Sequence, residues 1–145
     1  MAYGKINLRI ITPKEVKLDE AADLVIMRAS TGEMGVLAGH ENRSVLLDYG
    51  PVRIIDEGKE RQIAVFGGLA QIKENVLSII SPEAQWPEDI NRSRVEAERE
   101  RVEERLLSSV DDLEIQRDQA LLRQLLVQIE VAAFKLQDVV DWAED

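Results

Sequence analysis

The chain of 145 residues contains no cysteine, which excludes disulfides, thiolate nucleophiles and cysteine-based metal sites. Glycine and proline are missing from the whole stretch after Pro87, where all eight glycines and four prolines have already been used. These are the residues that punctuate turns, and a stretch without them permits long uninterrupted helix. The sequence therefore reads as a turn-rich front part and a helical back part. Their junction is Pro82-Glu83-Ala84-Gln85-Trp86-Pro87, where two prolines bracket a short segment. No apolar run approaches the roughly 20 residues that cross a bilayer as a helix. The start, Met1-Ala2-Tyr3-Gly4-Lys5, lacks the apolar stretch and small-residue cleavage site expected of a signal peptide. The length suits one compact domain with an appendage, and a composition that is 45% hydrophobic can supply a core. A cytosolic setting fits this composition.

The formal charge of -10 is spread unevenly, for residues 109–145 carry three bases (Arg117, Arg123, Lys135) against nine acids. A basic stripe is lacking, which argues against nucleic acid or anionic lipid as a partner. Solvation of a polar helix face accounts for the acids.

The front part alternates with the period of a strand. In Lys5-Ile6-Asn7-Leu8-Arg9-Ile10-Ile11 apolar and polar residues interleave until Thr12-Pro13 stops the run. Residues 22–27, 44–47, 50–55, 61–66, 69–72 and 76–80 read as further short strands. Glu57-Gly58 makes a good hairpin turn because glycine accepts positive φ, and Glu74-Asn75 makes another. Many short strands joined by tight turns predict an antiparallel sandwich or barrel.

The back part follows the helical period. Pro87-Glu88-Asp89 fits a helix start, with proline at the first position and carboxylates at the positive end of the dipole. Val95, Val102, Leu106 and Val110 form a narrow apolar seam, and Asp111 or Ser109 can cap a second helix. That helix carries Leu122, Leu125, Ile129, Ala132, Leu136, Val139 and Ala143 at steps of three and four, a coiled-coil-like seam. A short connection makes the two helices antiparallel neighbours. Leu121, Leu126, Val127, Val131, Phe134 and Val140 lie off the seam, so the apolar face is too wide for one partner helix. It must be buried on the sandwich or on another protein.

No catalytic constellation is visible. With His40 as the sole histidine, a histidine-pair metal site is excluded. Residues 32–40 hold glycines at intervals, but no Gly-Lys-Ser/Thr follows to make a phosphate loop. Adjacent residues of a strand point to opposite faces, so His40 and Glu41 do not pair as acid and base. A turn-stabilising role suits His40 better.

The string Gly32-Glu33-Met34-Gly35-Val36-Leu37-Ala38-Gly39-His40, ending at Leu47-Asp48-Tyr49-Gly50, resembles the signature of the epsilon subunit of F-type ATP synthases of the bacterial type. Phe66-Gly67-Gly68-Leu69-Ala70-Gln71-Ile72 resembles that family's second recurring string, and Glu88-Asp89-Ile90 its third. The likeness covers essentially the whole chain, in order and at matching spacing. It implies a flattened antiparallel β-sandwich over residues 1–85 followed by an antiparallel two-helix hairpin over residues 86–145. It also implies a non-catalytic central-stalk rotor subunit that couples the ion-driven membrane ring and the gamma subunit to ATP synthesis in the catalytic head. The implied location is peripheral, at the cytoplasmic face of the cell membrane, without direct bilayer insertion. Ring and gamma contact candidates are then Glu33, Met34 and His40. The hairpin's partner-binding face is Leu122, Leu125, Ile129 and Leu136, through which alpha and beta catalytic subunits would be met.

Some family members bind ATP where the hairpin joins the sandwich, through a string often reading Ile-Asp-x-x-Arg-Ala and two arginines on the second helix. Here the matching positions are Ile90, Asn91, Arg94 and Val95, with Gln124 and Gln128 in place of the two arginines. Losing those guanidinium donors removes the charge-assisted recognition that phosphate favours. The expectation is therefore no cofactor, with ATP binding weak or absent. Asn42 stands where a proline commonly follows the family's histidine. In members that block hydrolysis, basic residues of the second helix meet an acidic loop of the beta subunit. The acidic tail here predicts only a weak regulatory role. A free-standing cytosolic adaptor that self-associates through its hairpin is the alternative on the residues alone.

Overall fold

The computed structural model describes residues 4–134 and the backbone of Gln137 and Asp138. The front part forms β1 (Ile6–Ile11), β2 (Val16–Ala22), β3 (Leu24–Ala29), β4 (Gly32–Leu37), β5 (Arg43–Asp56), β6 (Lys59–Lys73), β7 (Val76–Ile80) and β8 (Ala84–Gln85). One 3-10 turn at Pro87–Asp89 leads into α1 (Arg92–Ser108) and α2 (Asp112–Ala133), and β9 (Gln137–Asp138) follows.

The strands join in the order β2-β1-β7-β6-β5-β3-β4, with β8 and β9 added along the edge of β6. All pairings are antiparallel except β1 with β7. This single path folds into two layers because β5 and β6, at 14 and 15 residues, run through both. In β6 the core-facing residues are Ile63 and Val65, then Ala70 and Ile72, so inward parity changes from odd to even in between. The change falls at Gly67 and Gly68, whose φ values of 79° and 121° suit glycine alone. On β5 the parity changes in step, from Val45 and Leu47 to Val52 and Ile54. The runs expected as separate strands at 44–47 and 50–55, and at 61–66 and 69–72, are thus two long bent strands.

Pro51 is tolerated inside β5 because the register between β3 and β5 shifts there, between Ile26 opposite Arg53 and Ala29 opposite Leu47. The two strands that periodicity did not reveal, β2 and β4, are the two ends of the strand path. An end strand tolerates charges and glycines that a central strand would not. Residues 32–40 are accordingly edge strand β4 plus a turn, and not a glycine-shaped loop. Glu57-Gly58 (φ 53° and 74°) and Glu74-Asn75 (φ 49° and 64°) close two-residue hairpins with positive φ at both positions.

The helical hairpin starts later than Pro87 suggests. Asn91 caps α1, its Oδ1 accepting from the Arg94 N–H at 3.2 Å, while Pro87–Asp89 makes only the 3-10 turn. Asp111 caps α2 through the N–H groups of Leu113 and Glu114. Val95, Val102 and Leu125 form the buried seam, joined by Leu106, Leu121, Leu122 and Ile129. Val110 lies at the exposed tip, outside the seam. The helix ends at Ala133, and Gln137 and Asp138 pair with Glu60 and Lys59 as a strand. Within the described residues the helical period stops at Ala133, since a free strand edge competes with a helix terminus whose propensity is a weak constraint. Leu136, Val139, Val140 and Ala143 lie outside the described residues.

A Cβ at position 68 would collide with the carbonyl oxygen of Ile80, whereas one at Gly58 (φ 74°) meets nothing within 4 Å. Thermal denaturation should therefore separate two substitutions. Gly68→Ala should lower stability by at least about 3 kcal/mol, and Gly58→Ala by roughly 1–2 kcal/mol from backbone strain alone.

Candidate interaction faces

On the layer built from β2, β1, β7 and the ends of β6 and β5, alternate residues point away from the core. Leu46 lies opposite Leu69, Leu69 opposite Ile80, Ile80 beside Ile11, and Ile11 opposite Val16. An apolar row therefore crosses five strands in register on the outer face. Leu46, Leu69, Ile80 and Val16 are 64%, 39%, 48% and 52% exposed. A polar row, Ser44, Gln71, Ser78, Arg9 and Asp19, runs beside it. A contiguous apolar stripe with a polar margin marks a protein contact surface, because single exposed leucines are ordinary but aligned ones are not. Sequence reasoning missed this row. Its signal was present in the apolar doublets Ile10-Ile11, Leu46-Leu47 and Ile79-Ile80, where a strand sends one side chain to each face.

The other layer's outer face is covered by α2. Val127 and Val131 are buried against Ala64 and Phe66, with Tyr49 and Ile90 at the margin. Part of the width of α2's apolar face is thus taken up by the sandwich, while Leu126 stays 47% exposed. Polar ties surround this contact. Arg28 donates to Glu130 at 3.3 Å, the Arg123 guanidinium lies 5.3 Å from the Tyr49 ring centre, and Lys17 approaches Asp89 at 3.8 Å. Gln128 Nε2 donates to Gln85 Oε1 at 2.7 Å, joining α2 to β8. Of the proposed partner face, Leu125 is buried between the two helices, and Leu122 and Ile129 are half-buried beside it. Leu136 lies outside the described residues.

Several of the nucleotide-site positions are engaged locally. Asn91 is spent on capping α1, Arg94 is exposed, Ile90 is half-buried between the two helix-packing clusters, and Gln124 is half-buried. Gln128 is buried and committed to Gln85, and its own Oε1 has no hydrogen-bond partner.

Glu33 is exposed on edge strand β4, opposite Arg28. Met34 is half-buried and packs against the main core from the inner face of that strand. His40 closes the turn after β4, its N–H donating to the Leu37 carbonyl at 3.2 Å and its Nδ1 lying 2.8 Å from the Glu41 carbonyl. That turn is tied to the β6–β7 turn. Asn75 Oδ1 accepts from the Gly39 N–H at 2.9 Å, and Asn42 Oδ1 accepts from the Glu74 N–H at 3.0 Å. Asn42 so performs a tie that proline could not. Among the described residues no group of three or more histidine, aspartate or glutamate side chains could hold a metal.

At the β9 pairing lies a half-buried ion pair. Arg53 grips Glu60 through two hydrogen bonds of 3.0 and 2.9 Å, and Gln62 adds a third at 2.8 Å. These bonds to Arg53, ahead of the opposing effect of burial, hold the Glu60 carboxyl below its ordinary value.

Comparison with known proteins follows this geometry closely. Residues 5–87 match the family model described as the beta-sandwich domain of the ATP synthase delta/epsilon chain. The chain is 34% identical to the ATP synthase epsilon chain of Shouchella clausii over 90% of its own length and 96% of the relative's. It is 30% identical to that of Caldicellulosiruptor bescii, over 94% and 99%. Among solved structures it resembles a chain of the Euglena gracilis mitochondrial ATP synthase OSCP/F1/c-ring assembly. The TM-score there is 0.80 at 27% identity, covering 92% of this chain and 84% of that one. A chain of the Tetrahymena thermophila mitochondrial central stalk and c-ring shares the fold, with a TM-score of 0.61 at 13% identity over 92% and 100%.

A carboxyl held below its unfolded value contributes stability above that unfolded value and loses it as pH falls through the folded one. Replacing Glu60 by glutamine should lower stability at neutral pH by about 1–3 kcal/mol. The variant should also lose less stability on acidification below the ordinary carboxylate range. Urea unfolding at several pH values checks both.

Proposed function

The chain belongs to the ATP synthase epsilon-chain family, and from that premise we propose how its two faces divide the work. It is a non-catalytic subunit of the ATP synthase complex and sits in the central stalk, with the gamma subunit and the c-ring as its general neighbours. The apolar row Leu46–Leu69–Ile80–Ile11–Val16 is its contact with gamma, and the in-register exposure of that row carries this reading. Coupling needs a subunit that turns rigidly with its shaft, and a continuous apolar stripe on a two-layer sandwich supplies area without a flexible linker. The turn at His40 and exposed Glu33, bound to the rest of the sandwich by Asn42 and Asn75, face the membrane ring. No helix among the described residues is long and apolar enough to cross a membrane. The subunit is peripheral, on the cytoplasmic side, and reaches the membrane through the ring.

The hairpin is the regulatory element and a weak one. Its second helix presents acid in excess, and its apolar seam is already closed against α1. Contact with alpha or beta subunits would need the hairpin to leave the sandwich first.

Two measurements test this reading. Leu69→Asp sits on an exposed position, so the isolated fold should survive while affinity for gamma drops at least tenfold in a pull-down titration. Leu107→Asp, at an 89% exposed site on α1, should leave that affinity unchanged. Full recovery of gamma by Leu69→Asp would remove the stripe from the interface. For nucleotide, the absence of arginine at 124 and 128 should raise the dissociation constant at least about a hundredfold over a two-arginine site. Calorimetry should accordingly detect no micromolar ATP binding.

A further inference from the structure

We propose that β9 is a strap that holds the helical hairpin on the sandwich, and that unpairing this strand is the first step of any hairpin release. The chain enters the hairpin from β8, which pairs with Ala64 and Val65, and leaves it through β9, which pairs with Lys59 and Glu60. Both ends of the hairpin are therefore sewn to the same edge of β6, five residues apart along one strand. A strand edge is an open row of hydrogen-bonding groups, and a short extended segment can add to it through its backbone without side-chain recognition.

The end of α2 is already positioned for this. Phe134, its capping residue, lines a cleft of about 490 Å³ together with Arg61 and Gln62 of β6 and with Trp86, Pro87 and Glu88. The helix thus stops against the very strand that β9 joins. Of the two fastenings, β8 precedes the hairpin and is continuous with the sandwich, so it acts as the fixed pivot. β9 follows the hairpin and holds the distal end. Without it, the docked state rests on Val127 and Val131 against Phe66 and Ala64, on the part-buried Gln85–Gln128 hydrogen bond and on the exposed Arg28–Glu130 pair. Exposed ion pairs contribute little, so the strap decides the balance between docked and free. The device acts whichever partner receives the freed hairpin, and it does not depend on the assignment of the apolar row.

The absence of cysteine from the chain makes this testable with one introduced thiol. Val131 is fully buried where α2 meets the sandwich, so the thiol of a Val131→Cys variant reacts with a maleimide reagent only when the hairpin lifts. In that background three changes are compared: Gln137→Pro, which removes a backbone donor from β9, Gln137→Ala, which keeps it, and a chain ended after Phe134. A second reporter, Ala70→Cys in the sandwich core, reads loss of the whole fold. The strap predicts labelling at position 131 faster by about tenfold in the proline and shortened chains, unchanged in the alanine chain, with position 70 unaffected. Equal rates at position 131 in all four chains would overturn the proposal. So would acceleration at both reporters together, which means global destabilisation, or equal acceleration by alanine and proline, which means a side-chain contact. If Gln137→Pro fails to fold, the shortened chain compared with Gln137→Ala still separates these outcomes.

Discussion

Everything in this fold depends on one strand being allowed to turn a corner. β6 must leave one layer and enter the other, and Gly67-Gly68 let it do so with positive φ and with backbone as close to Ile80 as a missing Cβ permits. The same corner reverses which residues face the core. It gives the two layers different neighbours on the edge of β6: β7 along residues 69–73, and β8 and β9 along the first half. A straight β6 would extend a single open sheet with one face solvated, and neither the enclosed core nor the second outer face would exist.

The two outer faces then acquire opposite fates from the same chemistry. Each carries apolar side chains that a lone sandwich would leave in water. On one, Ala64 and Phe66 are covered by Val127 and Val131 of α2. On the other, the row from Leu46 to Val16 stays open. Burying a valine side chain is worth about 1.5–3 kcal/mol, whereas an exposed pair such as Arg28–Glu130 is worth about 0–1 kcal/mol. Apart from its β9 strand pairing, the hairpin is therefore held by a small apolar contact, with the polar ties fixing where it sits. A contact of that size suits an element that must be able to leave, while the open row suits a permanent neighbour.

Sequence and structure agree most closely where a residue acts on its own few neighbours in the chain. Glu57-Gly58 and Glu74-Asn75 were readable as hairpins because positive φ is a local demand. Asp111 was readable as a cap because a carboxylate at a helix start satisfies N–H groups two and three residues on. The reading fails where a distant strand decides. Val16–Ala22 and Gly32–Leu37 became strands at the ends of the sheet despite charge and glycine. Met34, chosen for its place in a recurring string, turns inward because β4 pairs with β3 in a register that sets it opposite Met27. Leu122, Leu125 and Ile129 were legible as a seam, and in the docked hairpin that seam packs against α1.

By itself the sequence determined the two-part layout, the strand and helix periods, the tight turns, the absence of cysteine and of a histidine pair, and the family. These follow from local sterics, capping and periodicity, which act over a few residues. Only the tertiary structure decided that two pairs of strands are two bent ones and that apolar doublets leave a row exposed across five strands. It alone also fixed the end of α2 at Ala133, where the chain goes on to pair with β6. Those outcomes depend on register between segments far apart in the chain. A shift of one residue sends every side chain to the opposite face, and no local pattern encodes which register the assembled sheet selects.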